Sequence, residues 1–330
     1  MNSGAIEAIA ADLVRALRGG RTQAELSRRL GYRSNIVHRW ESGKCWPSAA
    51  TFLRACLRSR PQVRGCFERF FQRKPAWLDA QAPFTRASIA AFLSDLRGKT
   101  PIVELAARSG HNRYSVGRWL KGSAEPRLPE LLGLIEASSR RLLDFIALIV
   151  DPEKMPTVSA RWQTLERVRA AAYELPWSHA VSRALELQGY QRCPGSAEDW
   201  IAAHLGIDIA DVTRALEFLC STGQVSKVRG KWRLGQSLSV ETSRDPHKAR
   251  ELKGVWSDVA LRRLRSGAPG NYGYSLFSAS RKDLRRLRDL HLEYVRAMQS
   301  VIASSSPGEC VGLYCAQLMD LSTVENALGD

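Results

Sequence analysis

The apolar positions of the chain fall first into a helical rhythm. An amphipathic helix is predicted over Ile6–Leu17. Thr22 can cap a second helix over Gln23–Leu30, with Leu26 and Leu30 on one face and the small Ser27 between them. Gly31 stands where that helix must end in a left-handed residue. A short third helix is predicted from Ser34 to Ser42, with Val37 and Trp40 facing inward and Asn35, His38 and Arg39 facing out. Gly43 ends it, Pro47 marks the following turn, and a fourth helix runs over Ala49–Leu57.

The same unit then recurs 79 positions later. QAELSRRLGYRSNIVHRWESGKCWPS from Gln23 aligns without gaps with IVELAARSGHNRYSVGRWLKGSAEPR from Ile102. The identical pairs are Glu25/Glu104, Leu26/Leu105, Arg29/Arg108, Gly31/Gly110, Val37/Val116, Arg39/Arg118, Trp40/Trp119, Gly43/Gly122 and Pro47/Pro126. A period of this kind signals a repeated structural unit. Its helices are predicted at Ile89–Leu96, Val103–Ser109, Arg113–Leu120 and Leu128–Ala137. The copies differ in places: Ile102 replaces Gln23, Leu120 stands for Glu41, and Gly117 weakens its helix by ~1 kcal/mol relative to Ala. Trp40 and Trp119 read as core anchors.

TQAELSRRLG…IVHRWESGK…P resembles the helix-turn-helix of repressor/Cro-class bacterial and phage regulators, over Ile6–Arg58 and less closely over Arg86–Leu143. That resemblance implies that the second helix of each motif enters the major groove of DNA. Carried over by position, Ser34, Asn35 and Arg39 face bases, while Gln23 and Lys44 touch phosphate. Arg33 and His38 flank them on the same outward side. In the second copy Arg113, Tyr114 and Arg118 take the base-facing places, with Lys121 nearby for phosphate. The chemistry suits those places: Arg pairs bidentately with guanine and Asn with adenine, and cations and helix N-termini hold phosphate. The departures of the second copy make it the weaker or auxiliary reader.

Beyond Asp151–Ala160, which reads as a linker, helices are predicted at Trp162–Tyr173, Ser178–Gln188, Ala197–Leu205 and Ile209–Ser221. A hairpin follows, Val225–Val228 and Lys231–Leu234, turning at Arg229-Gly230. Helix, helix, hairpin is the order of a winged helix. Asp208, Asp211 and Glu217 on its last helix would repel phosphate, whereas Lys227, Arg229 and Lys231 on the wing could touch a DNA backbone. A secondary DNA contact and a structural or regulatory module both remain open for it.

The last ninety residues alternate: strand-like Ser237–Glu241, helix Pro246–Arg265, strand-like Tyr272–Ser278, a helix from Arg281 to Ala303 capped by Ser280 with Asp283, and strand-like Glu309–Leu321. Leu284, Leu287, Leu290, Tyr294 and Met298 share a face of the longer helix. From about Arg161 to Ser322 the chain resembles the C-terminal half of a poorly characterised bacterial family, recorded as a domain of unknown function and suspected of transcriptional regulation. The motifs that carry this are ALELQGY…GSAEDWIAAHLGI, DPHKARELK, YGYSLFSASRKDLRRL and VGLYCAQLMDLS.

Charge sharpens the picture. The 330 residues carry 49 Lys+Arg and 33 Asp+Glu, a net +16. Residues 1–150 hold 25 cations against 12 anions and so most of the excess, which favours a polyanionic partner. Seven scattered cysteines without a CxxC pair read as reduced thiols and offer no metal site. No apolar run is long enough for a bilayer; the longest, Leu142–Val150, carries Asp144. No GxSxG, HExxH or phosphate-binding glycine loop is present.

The expected architecture is therefore mainly α: two tandem five-helix-type helix-turn-helix domains (1–75 and 84–150), a winged-helix-like domain (161–236) and a small α+β domain (237–330). The expected protein is cytoplasmic and nucleoid-associated, not an enzyme, without cofactor or metal, and without a membrane partner. It reads double-stranded DNA as a sequence-specific transcriptional regulator and forms a homodimer, and its C-terminal half dimerises or receives a small-molecule or protein effector. The alternative is a protein-interaction adaptor or antitoxin-like partner. RNA binding lacks a stacking signature.

Overall fold

The computed structural model describes residues 3–71, 74–78, 84–235 and 245–321, with the side chains of 296, 300, 303 and 304 outside that description. Among the described residues the chain is mainly helical, with one two-stranded antiparallel sheet. The chain divides into two compact units, the first over residues 1–167 and the second beyond.

The first unit is a five-helix set made twice. α1 (Ser3–Arg18), α2 (Gln23–Arg29), α3 (Ile36–Glu41), α4 (Ala49–Ser59) and α5 (Val63–Phe71) are followed by α6 (Arg86–Arg97), α7 (Ile102–Ser109), α8 (Arg113–Leu120), α9 (Leu128–Ser139) and α10 (Leu142–Ile149). The first residues of α2, α4 and α5 lie 79 positions before those of α7, α9 and α10, and the last residues of α1 and α3 lie 79 before those of α6 and α8. Thr22 caps α2 in a box closed by Glu25, so both orphan N–H groups are satisfied. These hydrogen bonds from Thr22 hold the Glu25 carboxyl below its ordinary range. Gly43 (φ 71°) and Gly122 (φ 69°) end α3 and α8 in the left-handed region. In both copies the next N–H closes the helix end: Lys44 N donates to Arg39 O at 3.0 Å and Ser123 N to Arg118 O at 3.0 Å.

The two copies share one core. The Phe67 ring of α5 packs on Trp77 and Phe84, which lie between α5 and α6, on Phe92 of α6 and on Phe145 of α10, with centroids 5.8–6.2 Å apart. The described residues between α5 and α6 therefore contribute to a core instead of only spacing two domains. The stretch read as a linker at 151–160 also folds back: Met155 and Val158 are buried, and Thr157 donates to Asp12 of α1 through N (3.1 Å) and Oγ1 (2.7 Å). Two apolar side chains and a buried carboxylate outweigh the chain-breaking prolines of this stretch.

α11 (Ser159–Glu174) leads into the second unit, which continues with α12 (Trp177–Ala184), α13 (Gln188–Gln191), α14 (Ala197–Leu205) and α15 (Ile209–Ser221). β1 (Val225–Val228) and β2 (Lys231–Leu234) pair antiparallel with Val225 opposite Leu234. Arg229 and Gly230 both have positive φ, as a tight two-residue hairpin turn demands. Val212, Leu216 and Leu219 are buried, as their spacing on α15 predicts. Tyr190 Oη accepts from Trp232 N and donates to Trp232 O, both at 3.0 Å, and so pins the hairpin to α13.

α16 (Pro246–Arg265) and α17 (Arg281–Ser304) complete the described chain. The strand read at Ser237–Glu241 lies outside the described residues. Tyr272–Ser278 and 309–321 are not strands: neither has a ladder partner among the described residues. The second of these instead lies along α16, where Gln317 Nε2 donates to Ser257 Oγ at 3.0 Å. Alternating apolar residues are a necessary condition for a strand, but a ladder also needs a neighbour in register. Leu287, Leu290 and Tyr294 of the α17 stripe, and Tyr274 and Leu276 before it, are exposed.

The shared aromatic core makes the two repeats one cooperative unit. Phe67→Ala should cost ~3–5 kcal/mol and lower hydrogen-exchange protection in α2 and α7 together. Protection retained in one repeat while lost in the other would contradict a common core.

Candidate nucleic-acid interface

α3 has only six residues, too few to be stable alone. Four anchors hold it. Val37 and Trp40 are buried in the first unit's core, and Tyr32 packs edge-on against Trp40 at 5.7 Å. Ser27 of α2 is buried, and its hydroxyl donates to Gln23 O at 2.7 Å and lies 3.2 Å from both Val37 N and Asn35 Oδ1. Asn35 is the N-cap, its side-chain oxygen accepting from His38 N at 3.4 Å. The fourth anchor is Glu41, buried at 5% exposure. Its carboxylate accepts from Arg18 Nε and from Gln23 Nε2, each at 2.6 Å, and its backbone oxygen accepts from Arg15 Nη2 at 2.9 Å. A buried carboxylate requires such partners.

With these anchors in place, the outward face of α3 is polar and open. Arg33, Ser34, Asn35, His38 and Arg39 are exposed, as is Lys44 just beyond. Among the described residues the side chains of Arg33, His38, Arg39 and Lys44 have no hydrogen-bond or ion-pair partner. Gln23 is half-buried and its amide nitrogen is committed to Glu41, which leaves only its carbonyl oxygen for an outside partner.

α8 presents a similar face by different means. It starts two residues earlier relative to the repeat, capped by Asn112, whose oxygen accepts from Tyr114 N at 2.8 Å. Arg113, Tyr114, Arg118 and Lys121 are exposed, and the Arg113 guanidinium lies over the Tyr114 ring at 5.1 Å. The polar hub is missing behind it. Leu120 and Ile102, at the places of Glu41 and Gln23, pack against the core, and Ala106 takes the place of Ser27. Arg97, equivalent to Arg18, keeps a buried Nε with no hydrogen-bond partner among the described residues. At the place of Tyr32, and as Tyr32 does on Trp40, His111 packs edge-on to Trp119 at 5.3 Å. Burial holds its pKa below the ordinary value, against the pull of nearby Glu130.

The hub residues Arg18, Ser27 and Glu41 escaped the reading of the sequence as a polar framework. A signal existed: Val37, Trp40 and Glu41 share one helix face, so a carboxylate there points inward and needs a cation.

The wing of the second unit is less open. Lys231 Nζ donates to Cys193 O at 3.0 Å, and Lys227 Nζ lies 3.6 Å from Glu198 and 4.9 Å from the Trp232 ring centre. Burial alone would raise the Glu198 pKa; the Trp232 indole hydrogen bond, its own backbone and Lys227 together hold it low. Arg229, at the turn, is exposed. At the start of α15, Asp208 caps Ala210 N at 2.7 Å, and Asp211 pairs with Arg214. Among the described residues no group of three or more His, Cys, Asp or Glu is placed to hold a metal ion, and no helix is long and apolar enough to cross a membrane.

Residues 156–318 match the model of a family described as a domain of unknown function (DUF4423). The match covers the end of the first unit and most of the second, and leaves both five-helix repeats outside it. No curated protein and no solved structure matches the chain.

Two outcomes are expected. Glu41→Leu, which copies the second repeat, should cost ~2–4 kcal/mol in chemical denaturation, because it leaves Arg18 and Gln23 without their acceptor; Arg18 keeps some water, hence the lower end. His111 has a depressed pKa when folded, so the unfolded chain binds the extra proton. Stability of the first unit should therefore fall as pH drops below about 6.5, and His111→Phe should flatten that slope in denaturation midpoints taken from pH 7.5 to 5.

Proposed function

We propose that this chain is a sequence-specific DNA-binding transcriptional regulator, whose repeats are helix-turn-helix motifs that present α3 and α8 to the major groove. The observation that carries the reading is the division of α3 into two faces. Its inward side chains are fully anchored, while its outward Arg33, His38 and Arg39, with Lys44, are exposed without a protein partner. The first 150 residues supply the positive field that draws a polyanion. Arg39 and Arg118 suit guanine, and the cations near the helix ends suit phosphate. Of Lys227, Arg229 and Lys231, only Arg229 is left without a protein partner among the described residues for a backbone contact, so the winged-helix-like part is at most an accessory reader. A cytoplasmic, nucleoid-associated location goes with this reading.

The second unit belongs in this scheme as the dimerising or signal-receiving half. The exposed stripe of Leu287, Leu290 and Tyr294 on α17 supports a homodimer through it. The adaptor reading draws its support from Val103 (62% exposed) and Tyr114 (70%), apolar or aromatic groups at the surface of the second repeat.

The test is a binding titration on a duplex selected from a random pool. Affinity should fall steeply with salt, in proportion to the phosphates neutralised. Arg39→Ala should cost ~1–3 kcal/mol and relax the preference at one base position, whereas Lys44→Ala should weaken all sequences alike and shallow the salt slope. Wild-type affinity in both variants at moderate salt would overturn the assignment of α3. A protein complex that survives high salt and nuclease, without any duplex preference, would favour the adaptor.

A further inference from the structure

The two repeats meet through equivalent residues. Ser48 and Arg127, 79 apart and so the same position in each copy, form an antiparallel bridge. Around it, Ala49 N donates to Pro126 O at 2.9 Å and Leu128 N donates to Pro47 O at 3.0 Å. Exchanging each residue for its counterpart in the other repeat turns the first of these bonds into the second. That is the mark of an isologous contact, in which a surface meets its own copy about a twofold axis. Two units related by translation would join unlike surfaces and could show no such exchange.

Part of the packing follows the same operation: α1 packs on α9 and its counterpart α6 on α4, while α4 meets α9 and α5 meets α10. The exchange is inexact, since α6 and α7 also pack on α9 where α1 and α2 have no comparable contact with α4. Sequence differences at the axis fit it too. Ala50 N donates to Glu125 at 2.6 Å. Under the exchange these become Pro129, which has no N–H, and Trp46, which has no acceptor in its side chain.

We infer that the two motifs of a single chain form an internal pseudo-twofold pair that reads one duplex as an inverted repeat with two unequal half-sites. The inference rests on the DNA-binding reading and deepens it by stating the class of duplex. If α3 and α8 dock on one duplex in equivalent ways, the half-sites inherit the relation between the helices, which is a dyad; DNA has such dyads and dimeric readers use them. The half-sites differ because the readers differ. Ser34, Asn35 and His38 of one copy correspond to Arg113, Tyr114 and Gly117 of the other. They share one feature, since Arg39 and Arg118 are equivalent and identical, so one guanine should recur in both halves on opposite strands.

The experiment is in vitro selection of bound duplexes by the full chain, repeated with Arg39→Ala and with Arg118→Ala. Both side chains are exposed and unpartnered, so neither change threatens the fold. The expected result is an imperfect inverted repeat. Arg39→Ala should erase the preference at the shared guanine in one half-site, and Arg118→Ala in the other, each with ~10-fold or greater loss of affinity for the parent site. A direct repeat would overturn the inference while leaving DNA binding intact. So would a perfect palindrome whose two halves both degrade in Arg39→Ala and neither in Arg118→Ala, since that is the result of two chains each reading with α3. No enriched sequence at all would overturn the DNA-binding reading itself.

Discussion

A six-residue helix cannot hold its own shape in water, because the cost of nucleation is recovered only over many turns. Whatever α3 does, its direction in space is set by what lies behind it. Val37 and Trp40 give it burial, but burial alone leaves a short helix free to rock about its axis. The Glu41 carboxylate removes that freedom. Held by Arg18 of α1 and Gln23 of α2, it ties three helices at one point, and Ser27 and Asn35 fix the other end. Charge-assisted bonds have tighter geometry than apolar contacts. The polar hub is therefore a device for aim more than for stability.

The second repeat reaches the same backbone without that device. Leu120 and Ile102 replace a carboxylate and an amide, which swaps directional bonds for non-directional packing. α8 compensates with length, eight residues against six, and an earlier cap at Asn112. The difference is visible in Arg97, whose guanidinium Nε is buried without a hydrogen-bond partner among the described residues, where Arg18 has Glu41. The two copies thus diverged at both faces of the outer helix: behind it, in how it is held, and in front of it, in Asn35 against Tyr114 and His38 against Gly117. In front, the two helices share Arg39 and Arg118 and differ at the positions beside them.

Much of the first unit was legible in the sequence because its signals are local. Thr22 with Glu25, the turn glycines and the apolar spacing each act over a few residues, and the offset of 79 repeated the glycines and the spacing, though not the cap, whose place Pro101 takes. What stayed hidden was non-local. The merging of both repeats into one core depends on Phe67 meeting Phe92 and Phe145, contacts that no periodicity reports. The linker at 151–160 misled because its prolines and charges are local signals, while Met155 and Asp12 act across the fold. The strands expected at Tyr272–Ser278 and Glu309–Leu321 failed for the related reason that alternation describes one strand and a sheet needs two. For the outer face of α3, exposure followed from the helical period, but the commitment of Gln23 to Glu41 did not, since the pair is eighteen residues apart.

Dyad and core carry different loads. Each backbone bond at Ser48–Arg127 contributes ~1 kcal/mol net, so the pair cannot hold two five-helix sets together on its own. The aromatic core around Phe67 can, since each buried ring is worth several times that. Yet the core would tolerate small rotations of one repeat on the other, because apolar contact is not directional. Two reciprocal hydrogen bonds across one bridge do not tolerate them: a shift that shortens one lengthens the other. The bridge lies seven residues beyond the end of α3 and seven beyond that of α8, so it is close along the chain to both outer helices. The core supplies the affinity between the repeats, and the bridge fixes the angle at which their two outer faces are shown.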